Sequence, residues 1–299
     1  MGNLRTALLA WLYARCSNGQ FVLRIEDLDR PRMRPDATTR IIKDLRWLGL
    51  DWDEGPDHGG PYAPYVQSER IAIYQHYLQR LRDADLVYPC YCTRAEIAYA
   101  ASALQQGTED GSRYPGTCRT LTSEERRQRE ASGRRPSLRF RVDDHRVVFF
   151  QDIIVGPMTQ HVQQTVGDFI VYRSDGVFAY QFAVVVDDGL MHINQVVRGA
   201  DLLASTARQI LLFEALGFAM PTFAHTPLVI DNQGKRLSKR DSSEGLAPLR
   251  AAGMSPAQVI GQFAKSLGLA EKDRLISPIE LAQIYQQDLY GIMRKISND

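Results

Sequence analysis

The sequence has little that would place the protein in a membrane or outside the cell. No apolar run approaches the roughly 20 residues that a helix needs to span a bilayer, so no membrane partner is expected. The apolar start, Met1 to Leu12, lacks a basic region and a small-residue cleavage site, and it predicts a core helix rather than a signal peptide. Four cysteines in 299 residues do not form a disulfide framework. A reducing cytoplasm is the expected location.

Net charge is almost absent as well, at +1. The basic residues are nevertheless clustered, because the stretch from Arg119 to Arg141 has eight arginines and three glutamates. A second cluster comprises Lys235, Arg236, Lys239 and Arg240. Such patches suit a polyanion. A solvated helix face and a solvated loop are the alternative, which we favour for either patch taken alone.

Helix and strand patterns alternate along the chain. Apolar spacing and helix-start signals predict helices over 3–16, from Asp36 to Gly49, from Ser68 onward, from Ser205 to Leu216, and from capping boxes at Ser255 and Ser277. Apolar runs predict strands at Phe21–Leu28, Leu138–Val142, Asp168–Tyr172 and Ala179–Val186. A cysteine-containing, then Arg/Glu-rich stretch from Tyr88 to about Pro136 interrupts the pattern. The order predicts an α/β fold with a parallel core split by an insertion.

Two segments have residues suited to a small charged ligand. Arg24–Arg30 follows a predicted strand, and the carboxyl edge of a parallel sheet is where ligands bind. A carboxylate there, such as Glu26, can hold an ammonium group, and a surface ion-pair cluster is the alternative. Gly234–Arg240 is a basic loop that can close over a triphosphate, with a solvated charge run as the alternative. The helix start at Gly2 can receive a phosphate, although most such glycines only form turns.

The cysteines of the insertion predict a metal site. Cys90 and Cys92 are two apart, so their side chains point the same way on a strand, and Tyr114–Cys118 brings a third thiol. Zinc prefers four ligands in a tetrahedron, and no histidine lies nearby in the sequence to be the fourth. Three buried cysteines acting as small apolar residues are the alternative.

Taken in order, these segments resemble the glutamyl branch of class I aminoacyl-tRNA synthetases over essentially the whole chain. The matching segments are Gly2–Trp11 with the end of the HIGH-type motif and its helix, Arg24–Asp27 with RIED, Gln67–Arg70 with a QS-x-R helix start, Val196–Asp201 with an arginine-glycine loop, and Arg236–Arg240 with a KMSKS-type loop. The set is specific because identity, order and spacing agree.

Three features are similar to the short branch, the glutamyl-Q tRNA(Asp) synthetases. Ala179–Asp188 resembles that branch more than full-length glutamyl-tRNA synthetases. The resemblance also implies a zinc site of Cys90, Cys92, Tyr114 and Cys118, with the tyrosine hydroxyl as the unusual ligand. Only 59 residues follow Arg240, which leaves no room for a large anticodon-binding region.

One departure concerns the start. The family has a strand and then a histidine two residues before the glycine, whereas Met1 precedes Gly2 here. We expect a misassigned start, in which a GTG codon has been read as initiator methionine, and losing the strand predicts poor solubility. A stop codon immediately upstream in frame would contradict this hypothesis.

The resemblance implies a class I synthetase catalytic domain, Rossmann-like, with a zinc-containing insertion and a short helical C-terminal region. Residues 1–87 would form the first half of the nucleotide-binding fold without its first strand, and 88–136 the zinc-binding insertion. Residues 137–225 would form the second half, and 226–299 the KMSKS-type loop and the helical region. A monomer is implied.

The resemblance also implies ATP with Mg²⁺, structural Zn²⁺, L-glutamate, and queuosine in the anticodon loop of tRNA(Asp) as acceptor. Glu26 would hold the substrate ammonium, Arg198 a carboxylate, and Tyr180 the glutamate. Lys239, and more weakly Arg236, would contact phosphates during catalysis, with Gly2 and Asn3 under the nucleotide. The alternatives are a synthetase that charges the tRNA 3′ end and a paralogue that binds tRNA or nucleotide without chemistry. Another nucleotidyl transferase of the superfamily is disfavoured.

Overall fold

Helices alternate with short strands in the computed structural model, which describes residues 2–29, 36–103, 107–108, 111–227, 246–271, 274–286, 288 and 296. The helices are α1 (Gly2–Cys16), α2 (Ala37–Trp47), α3 (Ile71–Asp83), α4 (Arg94–Ala103), α5 (Ser123–Ala131), α6 (Val162–Thr165), α7 (Tyr180–Leu190), α8 (Leu203–Leu216), α9 (Ala247–Ala251), α10 (Pro256–Ser266) and α11 (Pro278–Tyr285). The strands are β1 (Val87–Cys90), β2 (Gly107–Thr108), β3 (Gly111–Ser112), β4 (Ser137–Phe140), β5 (Val147–Asp152), β6 (Gly156–His161), β7 (Phe169–Tyr172), β8 (Gln195–Gly199) and β9 (Thr222–Thr226). Within these ranges no helix is long and apolar enough to cross a membrane.

A four-stranded mixed sheet forms the centre of the fold. Its order is β6-β5-β9-β8, with β5, β9 and β8 parallel and β6 antiparallel to β5. Helix α1 packs against β8, and α7 packs against α8. Parallel strands covered by helices are the arrangement expected of an α/β fold. The predicted α/β class is therefore confirmed, although the sheet is mixed rather than wholly parallel.

Two large apolar cores and one small core stabilise this arrangement. The first contains α3, α7, α8 and the antiparallel sheet β1-β4-β7. The second joins α1 to the C-terminal helices α10 and α11. The third comprises five buried residues of the insertion, Tyr88, Cys90, Tyr91, Tyr114 and Cys118. So small a core provides little apolar burial of its own. The four predicted segment boundaries stay a prediction.

The predicted strand Ala179–Val186 is wrong, because this segment forms most of helix α7. The valine-rich run suggested a strand, since β-branched residues are common in strands. In the fold, Phe182 to Asp188 are all buried, so the helix is covered on nearly every side. Such a helix has no polar face from which a helical period can be read.

The predicted strand Phe21–Leu28 is also wrong as a regular strand. It is extended, but it makes only isolated parallel bridges, Val22 to Glu54 and Ile25 to Val66. Its neighbours are loop segments that do not run beside it for long enough to form a ladder. Helix α2 starts after Asp36, as predicted, although the Asp36 side chain makes no capping hydrogen bond. Two other predicted helix starts shift, because the N-caps of α3 and α8 are Arg70 and Leu202.

Candidate active site

One cavity is lined by the residues that the sequence predicts for amino-acid binding. It has a volume of about 830 Å³ and lies among α1, the extended segment 19–26, α7 and β8. Glu26 reaches it from the extended segment, Tyr180 from the first turn of α7, and Arg198 from β8. Three positions that are far apart in the sequence therefore border one space.

Arg198 is a buried cation that has only neutral hydrogen-bond partners. It is 8% exposed, and in the described part of the chain no acidic side chain lies within ion-pairing distance of it. Its Nε donates to His225 Nε2 at 2.9 Å, Nη1 to Gln209 Oε1 at 2.7 Å, and Nη2 to Thr206 Oγ1 at 2.7 Å. Burial lowers the pKa of Arg198. A buried cation without a counter-ion is costly, so the site is suited to an anionic ligand.

Arg24 is a buried cation surrounded by acids. Its guanidinium lies 2.7 Å from Asp188 Oδ1, 3.0 Å from Glu26 Oε1 and 3.5 Å from Asp187 Oδ2. Burial alone would lower the pKa of Arg24, but the three carboxylates raise it well above its ordinary value. Arg24 is thus compensated by the protein. It orients Glu26, whose side chain is 36% exposed and borders the cavity.

Asp187 anchors this part of the cavity wall. It is fully buried and accepts hydrogen bonds from Gln67 Nε2 at 2.8 Å, Arg70 Nε at 2.7 Å and the Tyr74 hydroxyl at 2.8 Å. A buried carboxylate that is paired and hydrogen-bonded in this way is tolerated. Gln67 and Arg70 belong to the predicted QS-x-R helix start, and their contacts give that segment a structural role.

Tyr180 borders the cavity between charges of both signs. It is 39% exposed, and that surface faces the open cavity. Burial of its hydroxyl raises its pKa to about 12, the Glu26 charge acts in the same direction, and the Arg198 charge opposes it. The hydroxyl is therefore neutral at physiological pH, and it lies close enough to Arg198 to interact with that guanidinium as well as with a ligand.

A buried network behind Arg198 was missed in the sequence. His225 and Asp152 are both 0% exposed, and His225 Nδ1 lies 2.6 Å from Asp152 Oδ2. Thr206 and Gln209 complete the contacts to Arg198. The available signal was an isolated histidine inside the apolar run that becomes β9. A lone histidine of that kind does not reveal its partners.

The residues predicted to contact nucleotide are only partly described. Gly2 and Asn3 begin α1, as predicted, but they do not line the cavity. The start of α1 lies beside the carboxyl end of β9, where Thr6 Oγ1 is 3.4 Å from Thr226 Oγ1. Lys239 and Arg236 lie outside the described residues, so their roles stay predictions.

The four predicted zinc ligands come together in the insertion. The three sulfur atoms of Cys90, Cys92 and Cys118 lie within 4.8 Å of one another. The Tyr114 hydroxyl is 3.3 Å from Cys90 Sγ and accepts from the backbone N–H of Cys118 at 2.8 Å. A tetrahedral site with Zn–S distances near 2.3 Å holds sulfurs about 3.8 Å apart. The donor set and its spacing therefore fit zinc.

The four side chains compete for ionisation. Hydrogen bonds from Cys118 and Cys92 hold the pKa of Cys90 far below its ordinary value, whereas the same thiol contacts raise the pKa of Cys92. Burial, then the hydrogen bond to Cys90, raises the pKa of Tyr114. A bound cation would relieve this competition, because metal ligands bind as anions.

The arginines of the insertion are largely used within the protein. Five of the eight form ion pairs or stack on an aromatic ring of the same chain: Arg119, Arg127, Arg134, Arg139 and Arg141. Arg139, for example, lies 3.7 Å from the Tyr114 ring centroid and donates to the Asp168 carbonyl. This stretch therefore has a structural role, whatever it binds.

The chain is similar to class I tRNA synthetases in sequence and in fold. Residues 1–289 match the family model of class I tRNA synthetases (E and Q), catalytic domain. The chain is 52% identical to the glutamyl-Q tRNA(Asp) synthetase of Symbiobacterium thermophilum, over 99% of this chain and 90% of that protein. It is 49% identical to the protein of the same name from Nitratidesulfovibrio vulgaris, over 90% of this chain and 82% of that protein. The crystal structure of a glutamate-tRNA synthetase from Elizabethkingia anophelis superposes with a TM-score of 0.82 at 32% identity, over 98% of this chain and 64% of that one.

Proposed function

The chain belongs to the family of class I tRNA synthetase catalytic domains for glutamate and glutamine, and we propose that it activates L-glutamate with ATP and transfers it to queuosine in the anticodon loop of tRNA(Asp). The buried guanidinium of Arg198, which has no acidic side chain within ion-pairing distance among the described residues, is the observation that carries the proposal. The same cavity has the Glu26 carboxylate on its wall. A cation and an anion bordering one space suit the carboxylate and ammonium groups of an amino acid, and glutamate as that amino acid is supported by the relatives named glutamyl-Q tRNA(Asp) synthetase.

In the first step Glu26 holds the substrate ammonium and Arg198 holds a carboxylate, with Tyr180 donating or accepting a hydrogen bond. The α-carboxylate oxygen then attacks the α-phosphorus of ATP, giving glutamyl-adenylate and pyrophosphate. No protein nucleophile is required, so the protein contributes positioning and charge stabilisation. Holding both ends of the amino acid lets the α-carboxylate approach the phosphate in a fixed orientation.

The nucleotide would lie at the carboxyl edge of the parallel strands, next to the start of α1. Gly2 and Asn3 offer backbone N–H groups there. ATP would arrive with Mg²⁺. Lys239, with Arg236 as the weaker candidate, would contact the phosphates and stabilise the charge that builds on them.

In the second step a hydroxyl of the queuosine cyclopentenediol attacks the adenylate carbonyl carbon. An ester forms, AMP leaves, and the hydroxyl proton is released. Queuosine is supported as the acceptor by the two relatives named glutamyl-Q tRNA(Asp) synthetase, of whose lengths this chain spans 90% and 82%. The insertion would meet the RNA, and zinc held by Cys90, Cys92, Tyr114 and Cys118 would supply structural cross-linking rather than chemistry.

ATP–pyrophosphate exchange tests the first step. We expect exchange that depends on L-glutamate, needs no tRNA, and stays at background with L-aspartate. Transfer is then measured with radiolabelled glutamate on tRNA(Asp) that contains queuosine and on the same tRNA with guanosine at that position. Label on the first RNA alone supports the proposal, and label on both RNAs contradicts it.

The second candidate is charging of the tRNA 3′ end. It is favoured by the likeness to the glutamate-tRNA synthetase from Elizabethkingia anophelis, although this chain spans only 64% of that structure. Removing the terminal adenosine of the tRNA separates the two. Queuosine transfer survives the removal, whereas 3′-end charging is lost. A chain that shows no exchange even with added tRNA would be a binding paralogue.

His192 offers a smaller prediction about the cavity. It lines the cavity, its ring meets the Tyr62 ring edge-on at a centroid distance of 5.4 Å, and its φ of 53° lies in the left-handed region. That conformation costs a side-chain-bearing residue roughly 1–2 kcal/mol. His192→Gly should therefore leave the free energy of unfolding unchanged or raise it by up to ~1 kcal/mol, while the KM for glutamate rises.

Asp85→Gly is the matched control, because Asp85 has a φ of 52° and lies on the surface far from the cavity wall. Urea unfolding should show a similar small gain in both variants, and exchange kinetics should change only in His192→Gly. A clear loss of stability in His192→Gly would mean that the contact with Tyr62 outweighs the backbone strain.

A further inference from the structure

Asp152 and His225 form a fully buried pair that the proposed chemistry does not use. Asp152 is the last residue of β5, His225 lies in β9, and Arg198 lies directly opposite His225 in the parallel register of β8 and β9. One chain of contacts thus crosses three neighbouring strands. It runs from Asp152 Oδ2 through the imidazole, at 2.6 Å and 2.9 Å, to Arg198 Nε.

The contacts define which imidazole nitrogen carries the proton. Arg198 Nε can only donate, so His225 Nε2 must accept. Nδ1 then carries the hydrogen and donates to Asp152. Asp152 is an anion fixed from the other side, because its Oδ1 accepts from the backbone N–H groups of Ile154 at 3.0 Å and Val155 at 2.9 Å. The carboxylate therefore selects the tautomer that Arg198 requires.

We propose that Asp152 and His225 are positioning residues for substrate carboxylate binding, and that they orient Arg198 by fixing the tautomer of the imidazole between them. This inference rests on the proposed function, in which Arg198 holds a carboxylate of glutamate.

The arrangement also explains how a buried cation stays in place without an ion pair. The negative charge of Asp152 lies one imidazole ring away from the guanidinium, where it attracts the cation without occupying the Nη atoms. A carboxylate in direct contact would neutralise Arg198, just as Glu26 and Asp188 neutralise Arg24. Such a carboxylate would also compete with the substrate. Placing a neutral ring between them keeps the compensation partial. A carboxylate often fixes a histidine in this way, by accepting the hydrogen of one ring nitrogen while the other ring nitrogen contacts a third group.

Asp152→Asn tests the proposal with almost no change of volume. The amide oxygen can keep the backbone contacts, while the amide nitrogen now donates to His225 Nδ1. The imidazole must then carry its hydrogen on Nε2, which faces the Nε–H of Arg198. Two N–H groups then face each other, so the hydrogen bond is replaced by a repulsion. We expect the KM for glutamate in pyrophosphate exchange to rise about 10- to 100-fold, with the KM for ATP within twofold of wild type.

His225→Asn is the second variant, and it serves if Asp152→Asn fails to fold. It can still donate to Asp152, but it has no acceptor at the Nε2 position, so the same rise in the KM for glutamate is expected. Asp168→Asn is the matched control. Asp168 is equally buried and accepts from Tyr88 and the backbone N–H of Val142, but it belongs to the neighbourhood of the insertion. Asp168→Asn should leave the KM for glutamate and the KM for ATP unchanged.

Nitrogen NMR of the six histidines reads the tautomer without any substrate, and His225→Asn assigns the signal. We expect the His225 hydrogen on Nδ1 in the wild type and on Nε2 in Asp152→Asn. An unchanged KM for glutamate in the folded variants overturns the inference, as does a wild-type hydrogen on Nε2. A wild-type chain that shows no glutamate-dependent exchange refutes the proposed function instead, and the tautomer result still decides whether Asp152 governs the contact to Arg198.

Discussion

Arg198→Gln should lower kcat/KM for glutamate activation by about a hundredfold to a few thousandfold, while destabilising the fold less than the loss of an ion-paired buried arginine does. The substrate carboxylate would lose its charged partner inside a buried site, and breaking such a pair costs ~3–5 kcal/mol. Arg198 has no acidic partner in ion-pairing distance among the described residues, so its removal strands no buried anion at its side. The free energy of unfolding should fall by about 1–2 kcal/mol, because Gln209 and Thr206 lose a buried hydrogen-bond partner. Pyrophosphate exchange and urea unfolding measure the two effects.

Arg70→Gln is the matched control for a buried arginine. Arg70 is 2% exposed, and its Nε lies 2.7 Å from Asp187, which is itself fully buried. Neutralising Arg70 leaves that carboxylate with only the more distant Arg24, at 3.5 Å, so unfolding should become easier by ~3–5 kcal/mol. If Arg198→Gln loses as much stability as Arg70→Gln, Arg198 is a structural residue and the proposed carboxylate site is wrong.

The residues of the site could be predicted where they belong to short ordered motifs. Glu26 and Arg198 lie in such motifs, and the cavity brings them together with Tyr180. His225 and Asp152 could not be predicted in this way. They are 73 residues apart and meet only because β5 and β9 are neighbours in the sheet. Nothing local in either segment indicates that partnership, since a buried histidine in a strand is compatible with many partners.

The fold shows the same division between local and distant determinants. The capping boxes at Ser255 and Ser277 are both confirmed, with each serine accepting from the backbone N–H three residues on. Helix α8 ends at Leu216, as predicted, and Gly217 caps it in the left-handed conformation. These signals lie within one helical turn. The segment that forms α7 was read as a strand, because its secondary structure depends on burial against α3 and α8, which no local pattern encodes.

The start of α3 illustrates how a tertiary contact overrides a local signal. Ser68 looked like an N-cap, but its hydroxyl is 2.6 Å from Asp27 Oδ2 and its backbone N–H donates to Asp27 Oδ1. The serine therefore joins the helix start to the segment that contains Glu26. A side chain that would otherwise cap the start of a helix is used here to position the cavity wall.

The proposed zinc ligands lie apart from the cavity proposed for the first step. They lie in the insertion, and none of them lines the cavity that contains Glu26 and Arg198. The insertion has a small core of its own, so metal binding can contribute much of its folding energy, on the order of 10 kcal/mol for structural zinc sites. Loss of the metal should therefore disorder the insertion and leave the amino-acid cavity intact.

Cys118→Ala should accordingly abolish transfer to tRNA, by at least about a hundredfold, while glutamate-dependent exchange stays within threefold of wild type. Metal analysis should find one zinc per wild-type chain and almost none in the variant, and limited proteolysis should cut the variant within the insertion. Cys16→Ala is the matched control, because Cys16 is a buried cysteine of α1 outside the cluster, and it should keep its zinc and both activities. Transfer by the zinc-free variant equal to that of the wild type would show that the insertion does not need its metal to present the RNA. Loss of exchange in the variant would show that the insertion and the amino-acid cavity are coupled through the strands β1 and β4 that join them.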